Sequence, residues 1–321
     1  MGEIPRTVDR SSPIRRLARL VEPIHTVCYY APEIRRFTEH GFRGWWHSYF
    51  AYRSAPMGEV SAAAVTAVFY NFAPRMVERA VPNCWDVMSA EDVRTTQVIL
   101  TGEALARCLG GPDDGAAAGA VTGAADGAVT DEIADEIAGA VTDAAATLRA
   151  FAADLPVAAR PLYAAWAAQD WPGDGVADDA LTLWHGCTLL REFRFDGHNI
   201  ALAANGLDPC ECHVMMATHG HGDAATIERI RGWTPEEWDA ACDRLRARGW
   251  LDSDGSQTPA GAAGRSQVEA DTDEMAAAAA AALDEAGAES LLGRLEVVAK
   301  HLVDSGEVSG VWPPPHVLVK G

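Results

Sequence analysis

Residues 224–258 read AATIERIRGWTPEEWDAACDRLRARGWLDSDGSQT, and this stretch decides the fold class. Ala224 to Ile230 reads as a short helix. Thr234-Pro235-Glu236-Glu237 then places a capping hydroxyl, a first-turn proline and a glutamate three residues on, which opens a helix running through Ala247. Gly249 ends it. Trp250-Leu251 and Thr258 flank Asp254-Gly255, the strongest short hairpin signal in the chain. An alanine-rich helix follows from Pro259 to Ala282. Upstream, Ala180–Phe193 and His198–Asn205 read as two helices joined at Asp196-Gly197, with Gly206 closing the second.

Helix, helix, capped helix, small hairpin and long helix is the order of a winged helix-turn-helix domain of the MarR type. A fainter version precedes it. Trp46-His47, Arg53 and Gly58 return as Trp184-His185, Arg191 and Gly197; Val77-Glu78-Arg79 returns as Ile227-Glu228-Arg229, and Ser89-x-Glu91-Asp92 as Thr234-x-Glu236-Glu237, at offsets of 138 to 150 residues. A unit repeated at this scale is one supersecondary module used twice. The expectation is a mainly α protein of two degenerate winged-helix halves related by duplication. Its divisions are residues 1–109, a low-complexity linker at 110–145 carrying Gly-Ala-Val-Thr three times, and residues 146–321.

Bulk properties narrow the partners. A net charge of −20 repels nucleic acid and anionic membranes. Arg6, Arg10, Arg15, Arg16 and Arg19 are the exception, read as a solvated arm or first helix face. The sequence shows no membrane-spanning run and no signal peptide. Seven unevenly spaced cysteines read as reduced thiols, so the expected compartment is the cytoplasm. A duplicated chain contains its own pseudo-dimer, so both a monomer and a homodimer fit.

Phe42-Arg43-Gly44, Tyr49-Phe50-Ala51-x-Arg53-x-Ala55-Pro56, Phe69-Tyr70-Asn71-Phe72 and Leu189-Leu190-Arg191-Glu192-x-Arg194-x-Asp196-Gly197-His198 resemble the actinobacterial SalK-like helix-turn-helix family, from about residue 15 to residue 282 without the linker. The resemblance implies a helical, winged-helix-like protein associated with secondary metabolism. The chain departs from the family at Ala73 and Phe193, where histidine is common, and at Phe195, where glycine is common. These changes remove imidazoles and add a ring, which implies a greasier pocket.

A winged helix raises DNA binding first, yet the first turn of the presumed recognition helix carries Glu236, Glu237 and Asp239, and the hairpin carries Asp252 and Asp254. Phosphate contacts supply most DNA affinity, so DNA is not the expected partner. The crowding of aromatics within residues 42–72 favours instead a concave apolar pocket with a few polar anchors. Expected lining residues are His25, Tyr30, Trp46, His47, Tyr49, Arg53, Asn71 and Trp184. Arg53 pairs with Glu59 or Glu78, and Arg191 with Glu192 or Asp196; these are either an ion pair clamping the halves or a grip on a ligand carboxylate.

His198, His185, Arg191 and Tyr70 are the candidates for acid/base and carbonyl-polarising work. His185 stands about 240° round a helix from Arg191, so His198, following a Gly197 break, is the better partner. Cys210-x-Cys212-His213 with His219 and His221 lacks the spacing of a zinc site, and no metal is expected. Nucleophile elbow, phosphate loop and dinucleotide fingerprint are all missing, so no cofactor is expected either. The reading is an enzyme that cyclises, rearranges or isomerises an apolar natural-product-like substrate. The alternatives are an antibiotic-binding self-resistance protein and a ligand-responsive regulator.

Overall fold

The computed structural model describes residues 13–109, 131–172 and 176–308. The arm before Pro13 and the first two Gly-Ala-Val-Thr copies lie outside them. Among the described residues the protein is mainly α. The helices in chain order are α1 (Pro13–Tyr30), α2 (Trp45–Ser54), α3 (Ala62–Val68), α4 (Pro74–Glu78), α5 (Ala90–Leu109), α6 (Asp131–Arg149), α7 (Pro161–Ala167), α8 (Val176–Ala204), α9 (Pro209–Thr218), α10 (Ala224–Arg231), α11 (Pro235–Ala247), α12 (Pro259–Ala281) and α13 (Glu285–Asp304). The one β feature among them is the antiparallel bridge Leu251–Gln257 across the Asp254-Gly255 turn. No described helix is long and apolar enough to cross a membrane.

Two hydrophobic cores form. The larger gathers α1, α2, α5, α6, α7, the first part of α8 and α13, while the smaller gathers the last turns of α8 with α9, α10, α11, Trp250, Leu251 and Val268. The cores therefore cut the chain elsewhere than at residues 109 and 146. Two long helices belong to both. α8 carries Trp184 and Leu189 into the large core and Ala201 and Leu202 into the small one; α12 enters the small core at Val268 and the large one at Ala276 and Ala279.

Expectation and structure differ most at two segments. The alanine-rich stretch after residue 130 is no linker: in α6, Ile137, Ala140, Val141, Ala144, Ala145 and Leu148 make one buried stripe at helical spacing. It packs on α8 and α13. Gly186 permits the approach, because a Cβ there would lie 2.6 Å from Leu148. The second difference is Gly197, which does not break a helix, since α8 runs through it. Its missing side chain makes room for Arg160; a Cβ would stand 2.3 Å from that guanidinium. Arg160 stacks on Phe193 and donates to the carbonyls of Phe193 at 2.7 Å and Met275 at 2.6 Å, tying α7, α8 and α12 together.

α10 and α11 form the helix-turn-helix. Gly232, left-handed at φ 77°, and Trp233 separate α10 from the Thr234 cap, whose side chain and that of Glu237 make the expected capping box. The segment around α4 docks on this turn. Ala73 N–H donates to the Arg231 carbonyl at 2.9 Å, Arg75 donates to the Gly232 carbonyl and to Glu237, and Tyr70 O–H donates to the Leu207 carbonyl.

The helices α2–α5 and α8–α11 follow in the same order, each set ending on a capped helix at Ser89 or Thr234. Their shapes differ. Trp46 lies in the first turn of a ten-residue helix and is partly exposed, whereas Trp184 lies buried inside a helix of 29 residues. Only the second set has the tight turn.

Gly232→Ala would force a β-carbon into the left-handed region, at a cost of about 1–2 kcal/mol, and against Met76, 2.1 Å away. A fall in melting temperature of several degrees is expected by calorimetry. An unchanged melting temperature would mean that the turn and Met76 yield freely.

Candidate functional site

At the meeting of the two cores, five elements surround a small cavity of about 60 Å³. α1 contributes Glu22, Thr26, Tyr29 and Tyr30, which share a face because they are four, seven and eight residues apart. α2 contributes Trp45, Trp46, Tyr49 and Arg53 by the same spacing. Asn71 and Phe72 come from the loop before α4, Arg191 and Phe195 from successive turns of α8, and Ile230 and Arg231 from the end of α10. A second, more apolar cavity of about 140 Å³ lies alongside, between α1, α8 and α12. Glu22, Arg191 and Phe195 line both.

Below the first cavity sits a buried ion cluster. Glu192, fully buried, accepts a hydrogen bond from Arg191 at 2.9 Å and stands 3.6 Å from Arg53 Nη2. Arg53 is 2% exposed, lies between the rings of Phe69 and Phe195 at 4.4 and 4.5 Å, and donates through Nη1 to the Tyr49 hydroxyl at 2.9 Å. Its Nε and Nη2 make no hydrogen bond. Arg191 reaches outward to Glu22 at 3.3 Å. Burial opposes the charge on Arg191, but Glu192 and Glu22 outweigh it and hold its pKa well above the usual value. Arg231 lies over the Phe72 ring at 4.4 Å; burial, together with the charge of Arg53, brings it down to about 10.

A hydrogen-bond chain runs behind Tyr29. Thr188 donates to the Trp184 carbonyl at 2.8 Å, so its oxygen accepts from His25 Nδ1 at 2.9 Å. That fixes the proton on Nδ1 and leaves Nε2 to accept from the Tyr29 hydroxyl at 2.9 Å. Burial holds His25 well below its usual pKa, so it is neutral.

Of the residues expected at the site, Tyr30, Trp46, Tyr49, Arg53, Asn71 and Arg191 meet at the first cavity. His198 does not turn back after a break. It lies seven residues from Arg191 on one continuous helix, nearly the same face, and lines the second cavity with its Nδ1 2.9 Å from the Thr272 hydroxyl. His185 is in neither lining; it packs among Trp166, Trp171 and Trp184. His47 accepts from the Arg43 N–H at 3.0 Å, Tyr70 bonds to Leu207, and Trp184 donates to the His25 carbonyl at 3.2 Å, so all three act in packing. Arg53 pairs with Glu192 rather than Glu59 or Glu78. Asp196 turns from Arg191 to accept from Tyr163 N–H at 3.0 Å in the first turn of α7. Glu22 and Arg231 were missed, because each reaches the cavity from an element whose own pattern reads as ordinary amphipathic helix. Cys210, Cys212, His213, His219 and His221 form no metal-ligand group, and among the described residues there is no such group of three or more.

Two outcomes follow from the buried charges. Glu192→Gln leaves two guanidiniums facing a neutral group, and breaking a buried pair costs about 3–5 kcal/mol; urea melts should show that loss, and a variant as stable as the parent would make the cluster dispensable. His185 is held down to about 4 by burial and then by Arg94. The unfolded chain therefore takes up this proton first as pH falls. Stability present above about pH 6.5 should be lost towards pH 4, by roughly 3 kcal/mol from this residue. His185→Phe should flatten that part of the pH–stability curve; an unaltered slope would place the proton uptake elsewhere.

The profile of a helix-turn-helix family matches residues 14–133 and again residues 116–309. No curated protein and no solved structure matches the chain. The two matches together take in most of the sequence, including the α10–α11 turn and every element that lines the cavity. The chain belongs to this helix-turn-helix family.

Proposed function

We propose that the protein binds a small, largely apolar, natural-product-like molecule where its helix-turn-helix meets the larger core, and that occupancy adjusts the position of the helix-turn-helix. The observation that carries this reading is the provenance of the lining: Arg231 closes α10, while Arg53 and Arg191 belong to α2 and α8. A ligand touching all three links the two cores. This reading makes the protein a ligand-responsive, SalK-like member of its family, acting in the cytoplasm, with the helical order α2–α5 and α8–α11 left by an old duplication.

DNA is a poor fit for α11. Glu236, Asp239 and Asp243 lie on its exposed surface together with Arg244 and Arg246, and its first turn carries no basic residue. The arginines nearby are engaged within the protein: Arg244 with Asp208 and Glu211, Arg246 with Asp243, and Arg248 with the Asn205 and Gly206 carbonyls and the Trp250 ring. An acidic helix face repels phosphate.

A second reading, a cofactor-independent isomerase or cyclase, is favoured by the Tyr29–His25–Thr188 chain, because Tyr29 lines the cavity and has a base behind it. Tyr29 then takes the acid/base role first expected of His198 and His185.

Hydrogen exchange with and without a ligand found by thermal shift tests the proposal. A ligand at one hundred times its Kd stabilises by about 2.7 kcal/mol. Added protection is expected at 68–76 and 224–234 as well as in α1 and α2. Protection confined to the large core would end the coupling. Recovery of a chemically altered ligand, with turnover lowered about 10²–10⁴-fold in Tyr29→Phe, would favour the enzyme.

A further inference from the structure

The two cavities share a wall. Arg191 and Phe195 line both, and Glu22, the residue that pairs with Arg191 there, is half exposed. On one side three guanidiniums, Arg53, Arg191 and Arg231, face the cavity, with the carboxylate of Glu22 in the lining and that of Glu192 behind Arg53 and Arg191. Arg53 is almost wholly buried with Nε and Nη2 without a hydrogen bond; Glu192, whose Oε2 is likewise unbonded, stands 3.6 Å from Nη2. On the other side the walls are aliphatic: Leu17, Ala18, Val21, Leu190, Ala276 and Ala279.

Resting on the ligand-binding reading above, we infer that the two cavities form one site for an aliphatic carboxylic acid, its carboxylate among Arg53, Arg191 and Arg231 and its hydrocarbon body between α1, α8 and α12. A carboxylate suits the first cavity because a planar guanidinium offers paired donors to it, and because a desolvated cation without enough partners is costly. A hydrocarbon suits the second because its lining offers mainly C–H surface, with Arg194 and His198 as its further polar members. Arg194 is paired through Nη2 with Glu269 at 3.2 Å and Asp273 at 3.5 Å, its Nε making no hydrogen bond, and His198 Nδ1 stands 2.9 Å from the Thr272 hydroxyl, so both polar groups sit at the edge of a mainly C–H lining. Glu22 is the competing anion. It leaves Arg191 for solvent when the ligand carboxylate arrives.

Calorimetric titration of the full chain with butyrate, hexanoate, octanoate and decanoate, and with 1-octanol and octylamine, tests this. Affinity should rise by roughly fourfold per methylene until the second cavity is full, and octanoate should bind about tenfold to a hundredfold more tightly than 1-octanol. Octylamine should not bind. Glu22→Gln should tighten octanoate by up to about fivefold and leave 1-octanol unchanged. Ala18→Phe, at a partly exposed position, should remove the dependence on chain length while the circular-dichroism spectrum is kept. Octanol binding as tightly as octanoate would overturn the acid and leave the pocket standing. A flat response to chain length in the native protein would overturn the joined cavities. Silence from every aliphatic probe beside binding of other apolar compounds would overturn this inference alone, and silence from both sets would overturn the ligand-binding reading as well.

Discussion

One carboxylate holds the centre of this molecule. Glu192 has lost all contact with water, and two arginines from different helices share it. Removing three charges from solvent is expensive, and their mutual attraction offsets that only when the geometry is good and the remaining donors are satisfied. Here the offset is incomplete. Arg191 is well served, by Glu192 and by Glu22, whereas Arg53 has one good hydrogen bond and two aromatic faces. The rings of Phe69 and Phe195 give the guanidinium a favourable quadrupole but cannot accept its N–H groups as an oxygen would. The cluster therefore fastens α2 to α8 and leaves cationic capacity pointing at the cavity. Arg53 and Arg191 thus both fasten the helices and line the cavity.

The rest of the architecture keeps that centre in place. α8 is the common wall: α1, α5, α6, α7 and α12 all pack on it. Because it continues without interruption past Gly197, residues 191, 195 and 198 stand in one row, and the small core begins on the same rod. Arg160 filling the notch at Gly197 fixes α7 and α12 to that rod by two carbonyl hydrogen bonds. Burial leaves Asp196 with a pKa of about 7, yet its oxygen is spent on the first turn of α7. Arg160 and Asp196 thus serve to join helices, while Arg53, Asn71, Arg191 and Arg231 line the first cavity.

Much of this was legible in the sequence where the cause is local. The Thr234 capping box, the Ser89 cap and the Asp254-Gly255 turn follow from hydrogen bonds within four residues, and α10, α11 and α12 start where the sequence places them. The aromatic and arginine lining from α2 was also visible, because clustering in sequence along one helix becomes clustering in space. The failures have tertiary causes. Gly197 reads as a break by propensity, but its role is to admit a side chain from 37 residues away. The repetitive composition of 131–145 hid a stripe of Ile, Ala, Val and Leu that needed α8 and α13 to be worth burying. His185 and His198 were attractive as titratable groups, while the structure surrounds the first with tryptophans and ties the second to Thr272. Glu22 and Arg231 carry no local sign that they share a cavity.

The contact between Arg75 and the first turn of α11 has a steric consequence. In a helix-turn-helix that reads base pairs, the amino-terminal turn of the second helix is the leading edge that enters the major groove. Here α4 lies against part of that edge: Arg75 spans the Gly232 carbonyl and the Glu237 carboxylate, and Met76 fills the hollow left by Gly232, while Glu236 stays exposed. The first turn of α11 is thereby tied to the chain's own α4, so a displacement of α4 is transmitted directly to the start of that helix.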